Sequence, residues 1–99
     1  MSPRPKKKRI CGGRFCGKAF KPTGISLVEL KQIPMQRDEL EALRLCDYKG
    51  LIQEEAGVCM GVSRGTVQRI LTSARRKVAE ALSTGGALVF EESPWEESE

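Results

Sequence analysis

Apolar residues recur at helical spacing through most of the chain and stop at a few sharp breaks. The clearest stripe is Val67, Ile70, Leu71, Ala74, Val78, Ala81 and Leu82, at intervals of three and four residues. It predicts a long amphipathic helix over 64–82, opened by Ser63 as N-cap and broken by Gly85-Gly86. A shorter pattern over 52–60 predicts a second helix, with Ala56, Gly57 and Met60 facing inward and Gly61 at its end. Over 38–48, Leu40, Leu43 and Cys46 share a face, with Ala42 and Leu45 at its edges. Asp38 is its expected N-cap, Asp47 lies at its end and Gly50 follows. Ser26 followed by Glu29 has the form of a capping box, so 26–33 is expected to be a short helix stopped by Pro34. Residues 87–90 read as one short strand, for which residues near Lys18–Lys21 are the candidate partner.

The fold class predicted is therefore mainly α. Three to four helices surround a helix-turn-helix, with a basic N-terminal arm and one short C-terminal strand. The divisions are 1–24 for a largely irregular arm, 25–90 for the helical domain and 91–99 for an acidic tail. The motif occupies about 52–72 and its recognition helix about 64–82.

Length and composition narrow the function. Ninety-nine residues allow one domain with a small core. The longest apolar runs are a few residues, such as Ala87–Phe90, too short to cross a membrane. The basic N-terminus has no apolar signal core, so a cytoplasmic location is expected. There is no histidine, which excludes Ser-His-Asp and Cys-His catalysis and imidazole-bound zinc. The carboxylates read as caps and first-turn charges, so no enzyme is expected. Cys11, Cys16, Cys46 and Cys59 lack the tight C-x-x-C pairing of zinc sites and are read as free thiols, with no cofactor.

The net charge of +4 is unevenly spread. Arg4, Lys6, Lys7, Lys8, Arg9, Arg14, Lys18 and Lys21 stand in the first 21 residues without an acid, while 91–99 carries Glu91, Glu92, Glu96, Glu97 and Glu99 without a base. A basic head points to a polyanion partner. The arm could follow a phosphate backbone or enter an A·T-rich minor groove.

The motif itself carries the function. A short helix, a glycine turn and a longer helix form a helix-turn-helix. Ala56 and Gly57 are small where two backbones must approach, Gly61 tolerates a positive φ, and Val62, Val67 and Ile70 are expected to fill the wedge. On the outer face of the second helix, Arg64, Gln68, Thr72 and Arg75 lie in one line, with Arg69 and Arg76 beside it. A charged helix face is ordinarily just solvated, but from Ser63 to Lys77 there are five bases and no acid. Arg can grip guanine and Gln adenine with two hydrogen bonds each. Arg64, Gln68 and Arg69 are thus assigned to base edges, and Ser63, Thr66, Arg75, Arg76 and Lys77 to phosphates. Double-stranded DNA is the expected partner, and the role a transcriptional regulator. A homodimer and a contact with RNA polymerase are compatible with it. Two other readings are a protein-interaction module docking on the transcription machinery, and a cysteine-based metal or redox sensor.

The runs Asp38–Leu45, Gly50-Leu51, Gln53–Ala56, Met60–Arg64 and Ala74–Leu82, with Phe20-Lys21-Pro22 and Gly24, resemble the small prokaryotic proteins of domain-of-unknown-function family 134. The resemblance covers about residues 3–90. The motif alone is also similar to region 4 of sigma factors, which grips a promoter element in the major groove. The resemblance implies DNA binding for Ser63, Arg64, Thr66, Arg69 and Arg75–Lys77. The chain departs from the family pattern at Ile52, where Ser or Thr is usual and a cap worth roughly 1 kcal/mol is lost. At Gly57, where Ala is usual, helix propensity falls by up to about 1 kcal/mol. Cys59 stands where a charged residue is typical.

Overall fold

Why a chain with so helical a pattern also builds a sheet is answered at Pro34. In a computed structural model, which describes residues 19–91, Gln32–Gln36 is a strand, β2, with Ile33 and Met35 buried and the residues between them exposed. This is the period of two that a half-buried strand requires. The expected helix over 26–33 is corrected accordingly. Only Leu27–Glu29 makes a single 3₁₀ turn, and the Ser26 side chain caps nothing.

Two further strands complete the sheet: β1, Ala19–Phe20, and β3, Ala87–Glu91. The order is β1-β3-β2, with β3 central. β1 runs antiparallel to β3, pairing Ala19 with Val89 and Phe20 with Leu88, so the partner expected near Lys18–Lys21 is present. β2 runs parallel to β3, with Gln32 opposite Ala87 and Gln36 opposite Glu91. The Ala87 N–H donates to the Lys31 carbonyl at 2.8 Å. By parallel alternation, residues 31, 33 and 35 turn their backbone groups to β3, and 32, 34 and 36 turn theirs outward. Pro34, which has no N–H, thus sits at the free edge, where proline interrupts no ladder.

The outward N–H of Gln36 is taken by the Glu39 carboxylate at 2.8 Å, which starts helix α1 at Arg37. Gln36 is the N-cap here; Asp38 lies in the first turn, not at the cap position expected for it. α1 spans Arg37–Ala42 and widens into a π-helix over Leu43–Tyr48. The buried apolar positions are Ala42 and Leu45, while Leu40, Leu43 and Cys46 are half-buried.

α2 spans Gln53–Met60 and α3 spans Arg64–Thr84. Glu55 accepts from the Ile52 N–H at 3.1 Å, so the helix keeps one half of a capping pair although Ile52 has no capping oxygen. Gly61 ends α2 with φ of 75°, in the left-handed region. Ser63 caps α3, its hydroxyl accepting from the Thr66 N–H at 3.2 Å.

α3 joins two cores. Its first half packs Val67 against Ala56 of α2 and Leu45 of the π turn, with Cys46, Leu51 and Met60 at the margin. Its second half packs Ala74 and Ala81 against Ile33, Met35 and Leu88 of the sheet, with Val78 and Phe90 beside them. Leu71 and Val67 are fully buried. Burial of side chains this size stabilises by about 1.5–3 kcal/mol each. Val62, expected in the wedge between the helices, is 37% exposed instead; its backbone, not its side chain, makes the contact.

Candidate nucleic-acid interface

The seat of α3 is set by a backbone contact. The Val62 N–H donates to the Gly57 carbonyl at 2.9 Å, and a methyl added at Gly57 would stand 2.6 Å from the Val62 carbonyl oxygen. Real Cβ atoms do not come that close to backbone, so at this spacing the turn lies against α2 because position 57 has no side chain; an alanine there requires the two to move apart. The approach of the two backbones was legible in the small pair Ala56-Gly57. The helix propensity lost at Gly57 is offset by this contact, because the glycine is what the turn packs on.

With its apolar face held this way, α3 turns the opposite face to solvent. Arg64, Gln68, Arg69, Thr72, Arg75 and Arg76 are all exposed, and Thr66 is half-buried. Among the described residues, no carboxylate lies within ion-pair distance of Arg64, Arg69 or Arg76. At the helix start, Ser63 donates to the Thr66 hydroxyl at 3.0 Å and Arg69 Nη2 donates to the same oxygen at 3.3 Å. These bonds hold Ser63, Thr66 and Arg69 together as one polar group beside Arg64.

Two sequence-assigned cations have partners of their own. Arg75 forms a two-pronged contact with Asp47, Nη2 to Oδ1 at 2.7 Å and Nε to Oδ2 at 3.0 Å. The Arg75 hydrogen bonds, with its charge, outweigh the opposing effect of burial and hold the Asp47 carboxyl below its ordinary value. Lys77 points the other way. Its Nζ lies 2.8 Å from Glu39 Oε1, while Ser73 donates to Glu39 Oε2 at 2.6 Å. Glu39 is 7% exposed. Burial pushes its carboxyl up, but the hydrogen bonds from Lys77, Ser73 and the Gln36 N–H, with the Lys77 charge, outweigh it and hold the group below its ordinary value. Lys77 therefore does not share the outer face with Arg64, Arg69 and Arg76.

Asp47 and Glu39 are the partners that sequence reasoning missed. In the sequence they read as a helix end and as part of a helix cap. Their partners lie 28 and 38 residues away, and no local spacing carries that signal.

Of the four cysteines, Cys46 is half-buried and Cys59 exposed, both free; Cys11 and Cys16 lie outside the described residues, as do most of the basic arm and the tail beyond Glu91. Burial raises the Cys46 thiol, with the Asp47 charge adding to it. Among the described residues, no cluster of three or more Cys, Asp or Glu side chains could hold a metal ion, and no helix is long and apolar enough to cross a membrane.

The whole chain has relatives. One, a UPF0251 protein of Aeromonas salmonicida, is 48% identical over 91 residues, 92% of this chain and 89% of that protein. Another, from Vibrio parahaemolyticus, is 49% identical over 96 residues, 96% of each. A UPF0251 protein of Pyrococcus abyssi is 58% identical over 65 residues, 64% of this chain and 59% of that one. No solved structure matches the chain. The profile described as Protein of unknown function DUF134 matches residues 1–97, and with relatives this similar over nearly full length the chain belongs to the DUF134/UPF0251 family.

Proposed function

We propose that this protein is a sequence-specific binder of double-stranded DNA and acts as a transcriptional regulator. α2, the turn Gly61-Val62-Ser63 and α3 are its helix-turn-helix. The observation that carries the reading is the outer face of α3. Arg64 and Arg69 lie there without carboxylate partners, with Arg76, whose nearby Glu80 is paired to Lys31, and the exposed Gln68 and Thr72, on a helix held by buried contacts. A row of guanidinium groups only partly compensated by carboxylates carries self-repulsion that a polyanion relieves.

In this mechanism α3 enters the major groove. Arg64, Gln68 and Arg69 reach base edges, where Arg suits guanine and Gln suits adenine. Ser63, Thr66 and Arg76 hold phosphates. Arg75 reaches a phosphate by exchanging Asp47 for it, while Lys77 acts from behind, tying α3 to α1 through Glu39. Selection of bound duplexes from a random pool, followed by titration of the winning sequence, tests the reading. On that sequence, Arg64→Ala should lose about 1–3 kcal/mol of affinity and select less strongly at one position. Failure to enrich any sequence from the pool refutes the proposal.

A second reading is docking on RNA polymerase. It is favoured by the exposed Tyr48, Ile52 and Val58, apolar side chains on and next to α2 and interleaved with Glu54 and Glu55. Retention of purified polymerase by this protein, abolished by Val58→Asp, would favour it.

A further inference from the structure

α3 contains one glycine, Gly65, in its first turn, where glycine is the least favourable residue after proline. Other glycines of the chain have evident internal reasons. Gly24, Gly50, Gly61 and Gly85 have positive φ, and Gly57 lies against the Val62 carbonyl. Gly65 has neither feature: its φ is not positive, and a methyl built on it meets nothing within 4 Å. No packing, turn or strain inside the described chain requires the missing side chain. The position is exposed, directly follows Arg64, and lies one, two and three turns from Arg69, Thr72 and Arg76 on the same helix side.

We infer that Gly65 is the point of closest approach between α3 and the DNA duplex, where the missing Cβ lets the groove wall rest on the helix backbone. The inference rests on the DNA reading above and adds a steric determinant to it. A side chain at this position would hold the helix away and lengthen every contact made by Arg64, Gln68 and Arg69.

Gly65→Ala separates the folding and binding roles, because the two readouts should move in opposite directions. Its melting temperature should stay level or rise by about 2–5 °C, since alanine favours the helix. Its affinity for the selected duplex, measured by fluorescence anisotropy, should fall about tenfold, and further with Gly65→Val, as overpacking at a close contact does. A melting temperature that falls would reveal an internal need for the glycine and overturn the inference. Undiminished affinity in both variants would also overturn it while leaving the DNA reading standing. A wild-type chain that binds no duplex removes both.

Discussion

Arg76 and Lys77 are adjacent, both basic, and different in what surrounds them. Arg76 faces solvent on α3, whereas Lys77 is held by a carboxylate that is itself buried. That buried group makes a pH prediction possible. The Glu39 carboxyl titrates below its ordinary value in the folded chain, so its contribution to stability is present above the usual carboxylate range and is lost as pH falls through the folded value. Glu39→Gln keeps the shape but loses the charge. Its unfolding free energy, followed by urea denaturation at several pH values, should be lower near neutrality by about 1–3 kcal/mol and should decline less steeply on the acid side. An unchanged acid slope would mean that Glu39 is not the group responsible.

At the scale of elements, the decisive feature is how closely α2 and the turn before α3 approach. Gly57→Ala must move the Val62 carbonyl or tilt α2, since the added methyl stands 2.6 Å from that oxygen. The cost of such overpacking exceeds the gain in helix propensity, and a fall of roughly 5–10 °C in melting temperature is expected by calorimetry. The shift would also displace the first turn of α3, with Arg64, relative to α2, so affinity for DNA should fall with stability. The sheet shows the same logic in the opposite direction. Pro34 was a convincing helix stop, and it is tolerated in β2 because its side of the strand is the free edge. Gly61 and Ser63, by contrast, do in the structure what their residue types predict, because a left-handed turn and an N-cap are decided within four residues of chain.

For the whole molecule, the question is how charge is distributed once the chain has folded. Asp47 and Glu39 pair with Arg75 and Lys77, so the α3 cations that form no ion pair, Arg64, Arg69 and Arg76, gather on one side of that helix. At about 0.9 per phosphate neutralised, six phosphate contacts shared between α3 and the basic arm of the sequence would make log affinity fall against log salt with a slope near −5. Titrations between low and moderate salt measure it directly, and a slope near zero would remove the electrostatic basis of the proposed binding.

Much of the architecture was legible in the chain itself. The apolar stripe of α3, its Ser63 cap, the glycine turn and the small pair at 56 and 57 all depend on neighbours within a turn or two of helix. Their physics is local, and the residue order states it. The partners of Glu39 and Asp47, the strand made by Gln32–Gln36 and the π widening after Ala42 depend on contacts made across the fold. Ile33 and Met35 become a strand because β3 returns beside them and α3 covers their apolar side. Which arginines remain open to a partner was likewise decided by folding, since an ion pair between residues 28 or 38 positions apart exists only when the tertiary structure brings its two ends together.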